Sequence, residues 1–191
     1  MNFLAHLYLS GESEPIMIGN FIGDFVKGNK INDYDEEIIR GIRMHRAIDA
    51  YTDKHEVVKM SKSKLSRYRH YAGVITDIYY DHFLAANWDM YHSEELKNYV
   101  DRSYELMVDN QEILPDRVNH MLKYMIPQNW LLSYREVEGI GEALQGLSRR
   151  TKFDSGMEHA IEDLSEHYDT FEEEFHMFFS DLMDYAARFE E

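Results

Sequence analysis

Seven apolar residues near the end of the chain, Ile161, Leu164, Tyr168, Phe171, Phe175, Phe178 and Leu182, recur at three- and four-residue spacing. Acids fill the positions between them, so the spacing predicts an acidic amphipathic helix over about 157–188. Such a stripe must be buried against other elements, and the rest of the chain supplies helices. Pro15 suits the first turn of a helix running towards Phe25, with Gly28 just past its end. Asn32 or Asp33 can cap the next helix, with Glu36 at capping-box spacing from Asp33, and Ile38, Ile42 and Ile48 face the core from about 35 to 51. Ser93 opens another helix that Pro115 stops. Ser133 and Glu136 repeat the box spacing before a helix reaching about Leu147. Residues 71–80 are aromatic and β-branched but lead straight into a helical pattern. With only three prolines, ten glycines, no linker and no repeat, residues 1–191 read as an all-α, single-domain helical bundle.

Charge narrows the function classes. Twenty basic against 36 acidic residues give a net charge of -16, which excludes wholesale nucleic-acid binding. The distribution is uneven. Residues 54–70 carry Lys54, Lys59, Lys62, Lys64, Arg67 and Arg69 against the single acid Glu56, whereas 154–191 hold thirteen acids and only Arg188. A local basic patch on an acidic body can select an acidic partner; a solvated lysine-rich helix face explains the same count. No run reaches the roughly 20 apolar residues of a membrane span, and the stretch over residues 3–9 is broken by His6 and lacks the basic flank of a signal peptide. No cysteine is present, which rules out thiolate metal sites and disulfides and fits a reducing, cytoplasmic setting.

Chemistry-bearing residues gather in the first 85 positions. His6 interrupts an apolar stretch, and Asp24 follows Gly19-Asn20-Phe21-Ile22-Gly23. His45, Asp49 and Asp53 stand four apart, each advanced only about 40° around a helix. Asp77 and Asp81 repeat that relation, with His82 beside Asp81. Two helices could thus present carboxylates and imidazoles to one groove, supported by Asp24 and His6. Hard divalent cations such as Mn²⁺ or Mg²⁺ accept mixed oxygen and imidazole ligation, and a cation would offset the cost of placing several acids in an interior.

Taken singly, each residue also has a structural explanation. Arg46 and Asp49 have favourable intrahelical spacing, Asp24 could accept from a neighbouring helix end, and His6 could be a satisfied core histidine. A di-iron bundle normally shows two Glu-x-x-His motifs; only 173–176 match. Trp130 and Tyr134 read as core packing, and Arg149 with Arg150 as complements to a helix carboxyl end, with bidentate phosphate binding as the lesser alternative.

Several motifs together resemble one family. Met1-Asn2-Phe3-Leu4-Ala5-His6-Leu7, Gly-Asn-x-x-x-Asp-Phe at 19–25, Gly-Ile-x-Met-His-Arg-x-Ile-Asp-x-x-Thr-Asp at 41–53 and Asp81-His82-Phe83-Leu84 are similar to the acyl carrier protein phosphodiesterases. The likeness extends through Trp130 and Ser148-Arg149-Arg150 to His167-Tyr168. It implies an all-helical fold distantly related to HD-type phosphohydrolases and a Mn²⁺-dependent hydrolysis. The implied reaction releases 4′-phosphopantetheine from a serine of acyl carrier protein and leaves the apo carrier. The adjacent His-Asp pair of the ordinary HD motif is absent, since positions 81–82 read Asp-His.

On this reading Asp24, His45, Asp81 and His82 are the first ligand candidates, with Asp49 and Asp77 next. Water activated by the cation attacks phosphorus and the serine oxygen leaves. Arg46 stabilises charge on the phosphoryl oxygens, and His6 either protonates the leaving oxygen or joins the ligands. Carrier proteins are acidic, so the patch from Lys54 to Arg69 is the expected docking surface, with salt-sensitive binding. Two alternatives stay open from the residues: hydrolysis of a nucleotide or another small phosphodiester, and a non-catalytic module that binds an acidic protein.

Overall fold

A computed structural model describes residues 2–189. Residue 1 of the opening motif and acids 190–191 of the tail lie outside the described residues. Helices account for the regular structure, with no strand among the described residues. In chain order they are α1 (Phe3–Leu9), α2 (Glu14–Ile22), α3 (Glu36–Lys54), α4 (Glu56–Lys64), α5 (Ala72–Ala86), α6 (Trp88–Tyr91), α7 (Leu96–Asp109), α8 (Asp116–Met125), α9 (Trp130–Ser133), α10 (Val137–Ser148), α11 (Ala160–Glu166) and α12 (Tyr168–Ala187). Short 3₁₀ turns at Gly23–Phe25, Gly28–Asp33, Ser66–Tyr71 and Met157–His159 join them.

The terminal stripe packs as its spacing predicts: Leu164, Phe171, Phe175, Phe178 and Leu182 are fully buried. The helix is divided, however. A 3₁₀ turn, α11 and α12 share the span, with the break at His167, whose backbone leaves helical geometry. Both capping boxes are also unrealised. Asp35, not Asp33, is the N-cap of α3, and Glu136 is that of α10; neither side chain bonds its helix end. Ser133 instead donates to the Trp130 carbonyl one turn back.

One close crossing places the site. A Cβ on Gly19 of α2 would lie 2.1 Å from the Ile38 carbonyl oxygen, and one on Gly41 of α3 would lie 2.4 Å from that of Ile16. Glycine at both positions therefore lets the two backbones touch, and Asn20, next to Gly19, meets His45, one turn beyond Gly41, across the contact.

Aromatic residues fill the body behind this crossing. Tyr79, Tyr80 and Phe83 meet Phe171, Phe175 and Phe178 in a buried aromatic layer. Each side chain contributes a large apolar area, and edge-to-face pairs such as Tyr79 with Phe171 add about 1 kcal/mol apiece. Tyr134 is buried as expected of core packing. Trp130 is half-exposed, with the Arg150 guanidinium 5.4 Å above its ring. Arg150 also donates to the Gly146 carbonyl, closing the end of α10. The lone Glu-x-x-His segment forms no metal pair, because Glu174 is engaged by Lys64 and Ser61 while His176 meets the Tyr91 hydroxyl.

Candidate metal centre

His6 on α1, and His45 with Asp49 one turn apart on α3, converge so that one ligand atom from each lies within 4.8 Å of the others. His6 Nε2 is 3.2 Å from Asp49 Oδ1, and His45 Nε2 is 3.2 Å from Asp49 Oδ2. Asp24, in the 3₁₀ turn after α2, brings Oδ1 to 3.3 Å from His45 Nε2. The two imidazoles stack, with centroids 4.0 Å apart and planes inclined by 21°.

Asn20 fixes both rings. Its Nδ2 donates to the His6 carbonyl at 2.8 Å and to Ser10 Oγ at 2.9 Å, which settles the amide orientation because a carbonyl only accepts. Its Oδ1 must then accept from His6 Nδ1 at 2.7 Å, and its main-chain oxygen accepts from His45 Nδ1 at 2.8 Å. Both Nδ1 atoms carry hydrogen, so in the neutral rings both Nε2 atoms present lone pairs to the same point. Neither buried Nε2 has a hydrogen-bond partner among the described residues. Two converging lone pairs, a carboxylate and a residue that fixes both tautomers are the donor set and outer support of an imidazole–carboxylate metal centre.

Electrostatics agree. Burial disfavours charge on His45, but Asp24 and Asp49 outweigh it and hold the ring up to about 9. Burial, reinforced by the neighbouring His45, pushes His6 down to about 4. Burial alone would raise Asp49, yet the two histidines hold it well below the usual carboxylate range. Pairing with the His45 ring lowers exposed Asp24 in the same sense. The acids thus call for positive charge at a point where one imidazole resists taking it, and a divalent cation would meet that demand.

The cluster opens on a cleft of about 430 Å³ lined by Gly23, Asp24, Val26, Lys27, Gly28, His45, Arg46 and Asp49. Exposed Arg46 is steadied by a 2.9 Å bond from its guanidinium to the Val26 carbonyl. Gly23 is required here: a Cβ on it would lie 2.4 Å from His45 Cγ.

Other predicted residues are placed elsewhere. Asp81 is wholly buried and accepts from the Leu4 and Ala5 backbone N–H groups at 2.9 and 3.3 Å, so it caps α1 from α5. Burial pushes its carboxyl up to about 7 against those two donors. His82 spends Nδ1 on the Tyr134 carbonyl at 2.8 Å and Nε2 on the Tyr168 hydroxyl at 2.9 Å, leaving neither nitrogen for a cation. Half-buried Asp77 is raised by burial, and by Asp49 within electrostatic reach, but it contributes no ligand atom to the cluster. Asp53 binds Lys62 at 2.7 Å instead of extending the His45–Asp49 row.

Asn20 and Gly23 were not singled out for the site by sequence reasoning. Each stands in the glycine-rich 19–25 motif, yet its importance rests on a partner from α1 or α3.

Four of the six cations in 54–69 have carboxylate partners. Lys59 meets Glu56 and Lys62 meets Asp53, both at 2.7 Å; Lys64 meets buried Glu174; Arg67 meets Asp163 at 2.5 Å. Lys54 and Arg69 carry no ion pair among the described residues.

Fold and site together define an all-helical protein with a histidine–carboxylate cluster at the foot of an open cleft. A family model described as acyl carrier protein phosphodiesterase matches residues 1–182, and the chain belongs to that family. Relatives named acyl carrier protein phosphodiesterase include one from Yersinia enterocolitica serotype O:8, 33% identical over 188 residues and covering 97% of each chain. Another, from Photorhabdus laumondii, is 32% identical over 97% of this chain and 95% of its own. A third, from Escherichia coli strain K12, is 33% identical over 98% of each. No solved structure matches the chain. No described helix is long and apolar enough to cross a membrane.

Proposed function

We propose that this protein hydrolyses the phosphodiester between 4′-phosphopantetheine and the serine of holo acyl carrier protein, using a divalent cation, Mn²⁺ or else Mg²⁺, held by His6, His45 and Asp49 with Asp24 at the rim. The observation that carries it is the convergence of the His6 and His45 Nε2 atoms on Asp49, beside Arg46, in a chain of this family. A bound divalent cation would lower the pKa of water and neutralise charge on the phosphoryl oxygens.

The remaining steps fall to the chain itself. Asn20 keeps both imidazoles in the ligating tautomer. Asp24, largely exposed, can accept a proton from the attacking water. Arg46 offers its outward N–H groups to the phosphoryl oxygens while Val26 holds the guanidinium in place. Water forms the new P–O bond, the P–O(serine) bond breaks, and the serine oxygen takes up a proton from solvent at the open mouth. Of the two roles for His6, ligation is the better supported, since burial keeps its ring neutral far below pH 7. The arrangement would be a variant of the HD-type site in which His45 and Asp49 stand four apart on one helix rather than adjacent.

Incubation of the protein with holo carrier protein and Mn²⁺, followed by intact-mass measurement, tests this. Loss of the phosphopantetheine mass is expected, stopped by chelator and by His45→Ala, with Asp24→Ala slowing it at least tenfold. A carrier protein of unchanged mass, with Mn²⁺ bound, would refute the substrate; normal turnover by Asp24→Ala would refute the role of that carboxylate.

A further inference from the structure

The substrate chemistry restricts where a carrier protein can sit. The scissile bond is at the root of the prosthetic arm, and only three covalent bonds separate phosphorus from the serine Cα. Cleaving it therefore brings the carrier's own surface to the lip of the cleft, and a patch elsewhere cannot by itself complete the encounter. The cluster suits such a close approach, since Asp24 at its rim has a side chain 76% exposed.

The cations at that lip are not those of the 54–69 segment. Lys27 lines the cleft together with Arg46, and Lys30 follows three residues later, beyond the lining, in the 3₁₀ turn Gly28–Asp33. Lys27, Lys30 and Arg46 are all exposed, and none has an ion pair among the described residues. Gly28, at φ +58°, makes the turn that sends the chain from the cleft wall to Lys30. Asp33 ends the same segment, Asp35 is the N-cap of α3, and Glu36 and Glu37 open that helix about 15 Å along it from Arg46. Lys59, Lys62, Lys64 and Arg67, by contrast, are committed to carboxylates of this chain.

We infer that the acidic carrier protein docks on the mouth of the metal cleft, with Lys27 and Lys30 receiving its acids and Arg46 its phosphodiester. This rests on the proposed substrate. Charge complementarity commits the surface to an acidic protein that carries the phosphodiester. The lysines act by position and charge, and neither touches the described ligand atoms, so their loss should weaken association without dismantling the centre.

The test is a fluorescence-anisotropy titration of labelled holo carrier protein onto the full chain loaded with Mn²⁺, with turnover followed by intact mass in the same mixtures. Lys27→Glu with Lys30→Glu is expected to weaken binding about tenfold or more, and Lys27→Gln with Lys30→Gln to fall between. Arg117→Glu with Lys123→Glu, both exposed on α8, controls for net charge and should stay within about twofold. Thermal melting confirms that each variant is folded. Binding by Lys27→Glu/Lys30→Glu within twofold of wild type would overturn the inference, as would loss confined to Lys59→Glu/Lys62→Glu, which would put docking on α4. Wild-type binding without turnover would sink the catalytic reading and leave the docking site standing; absence of wild-type binding would sink the docking site.

Discussion

At the residue scale the site depends on Asn20, which serves two histidines with three hydrogen-bonding atoms. Asn20→Ala removes the side-chain acceptor for His6 but leaves the main-chain acceptor for His45. Mn²⁺ affinity measured by calorimetry should fall about 10- to 100-fold, with a stability loss of about 1–3 kcal/mol from the orphaned groups. Unchanged affinity would remove Asn20 from the centre. His45 supplies a second prediction, for the metal-free protein. Its folded pKa, raised from 6.5 to about 9 by Asp24 and Asp49 against burial, means its stabilisation is fully present below pH 6.5. That contribution is lost as pH rises through 9, up to about 3 kcal/mol. Denaturant midpoints of the chelated protein should therefore drop between pH 6.5 and 9, and His45→Gln should flatten that limb. A slope equal in both proteins would deny the pairing. His45 and Asp49 were legible in the sequence because four-residue spacing on one helix is a local property. The separation of Asp81 and His82 from the cluster was not, because it depends on Leu4, Tyr134 and Tyr168 arriving from distant parts of the chain.

At the element scale the decisive feature is the crossing of α2 and α3. Gly19→Ala drives a methyl group into the Ile38 carbonyl, so the helices must separate. Overpacking of this kind costs about 1–3 kcal/mol, and because Asn20 is the next residue, Mn²⁺ binding should weaken along with the melting temperature. A stable variant with intact Mn²⁺ affinity would show that the contact does not position the site. The 3₁₀ segment Ser66–Tyr71 holds a different kind of strain. Arg69 has φ +52° and ψ -117°, a conformation that glycine adopts far more readily than a side-chain-bearing residue. Arg69→Gly is expected to stabilise by about 1 kcal/mol, raising the melting temperature by about 2–4 °C; a lower melting temperature would mean that contacts of the arginine outweigh the backbone strain. Helical class was readable from periodicity because burial on one face repeats every three to four residues. Cap positions were less so: Asp33 and Ser133 have the right spacing, but neighbouring turns claim the chain before either can bond a helix end.

Across the whole molecule, charge count and charge placement give different forecasts. Composition points to a basic stretch in 54–70, but folding brings Asp163 and Glu174 from the acidic end to Arg67 and Lys64, pairings across about a hundred residues that no local count reveals. Much of that stretch's charge is thereby neutralised, whereas Lys27 and Arg46 keep theirs at the cleft and Lys30 keeps its own in the turn that follows. Encounter with an acidic carrier then involves two opposing fields. The net charge of -16 repels it, and at about 0.01 M salt that repulsion extends over a Debye length of roughly 30 Å. Near 0.15 M the length shrinks to about 8 Å, so bulk repulsion is screened while cations in direct apposition still attract. Still higher salt weakens that attraction too. The association rate followed by stopped flow should therefore rise with salt from the lowest concentrations, pass through a maximum and then fall. Lys27→Glu with Lys30→Glu should remove the falling limb and leave a monotonic rise, because screening would then relieve repulsion at every distance. A wild-type rate that falls steadily from the lowest salt would mean that local attraction governs the encounter even at long range, and that the acidic body plays no part in it.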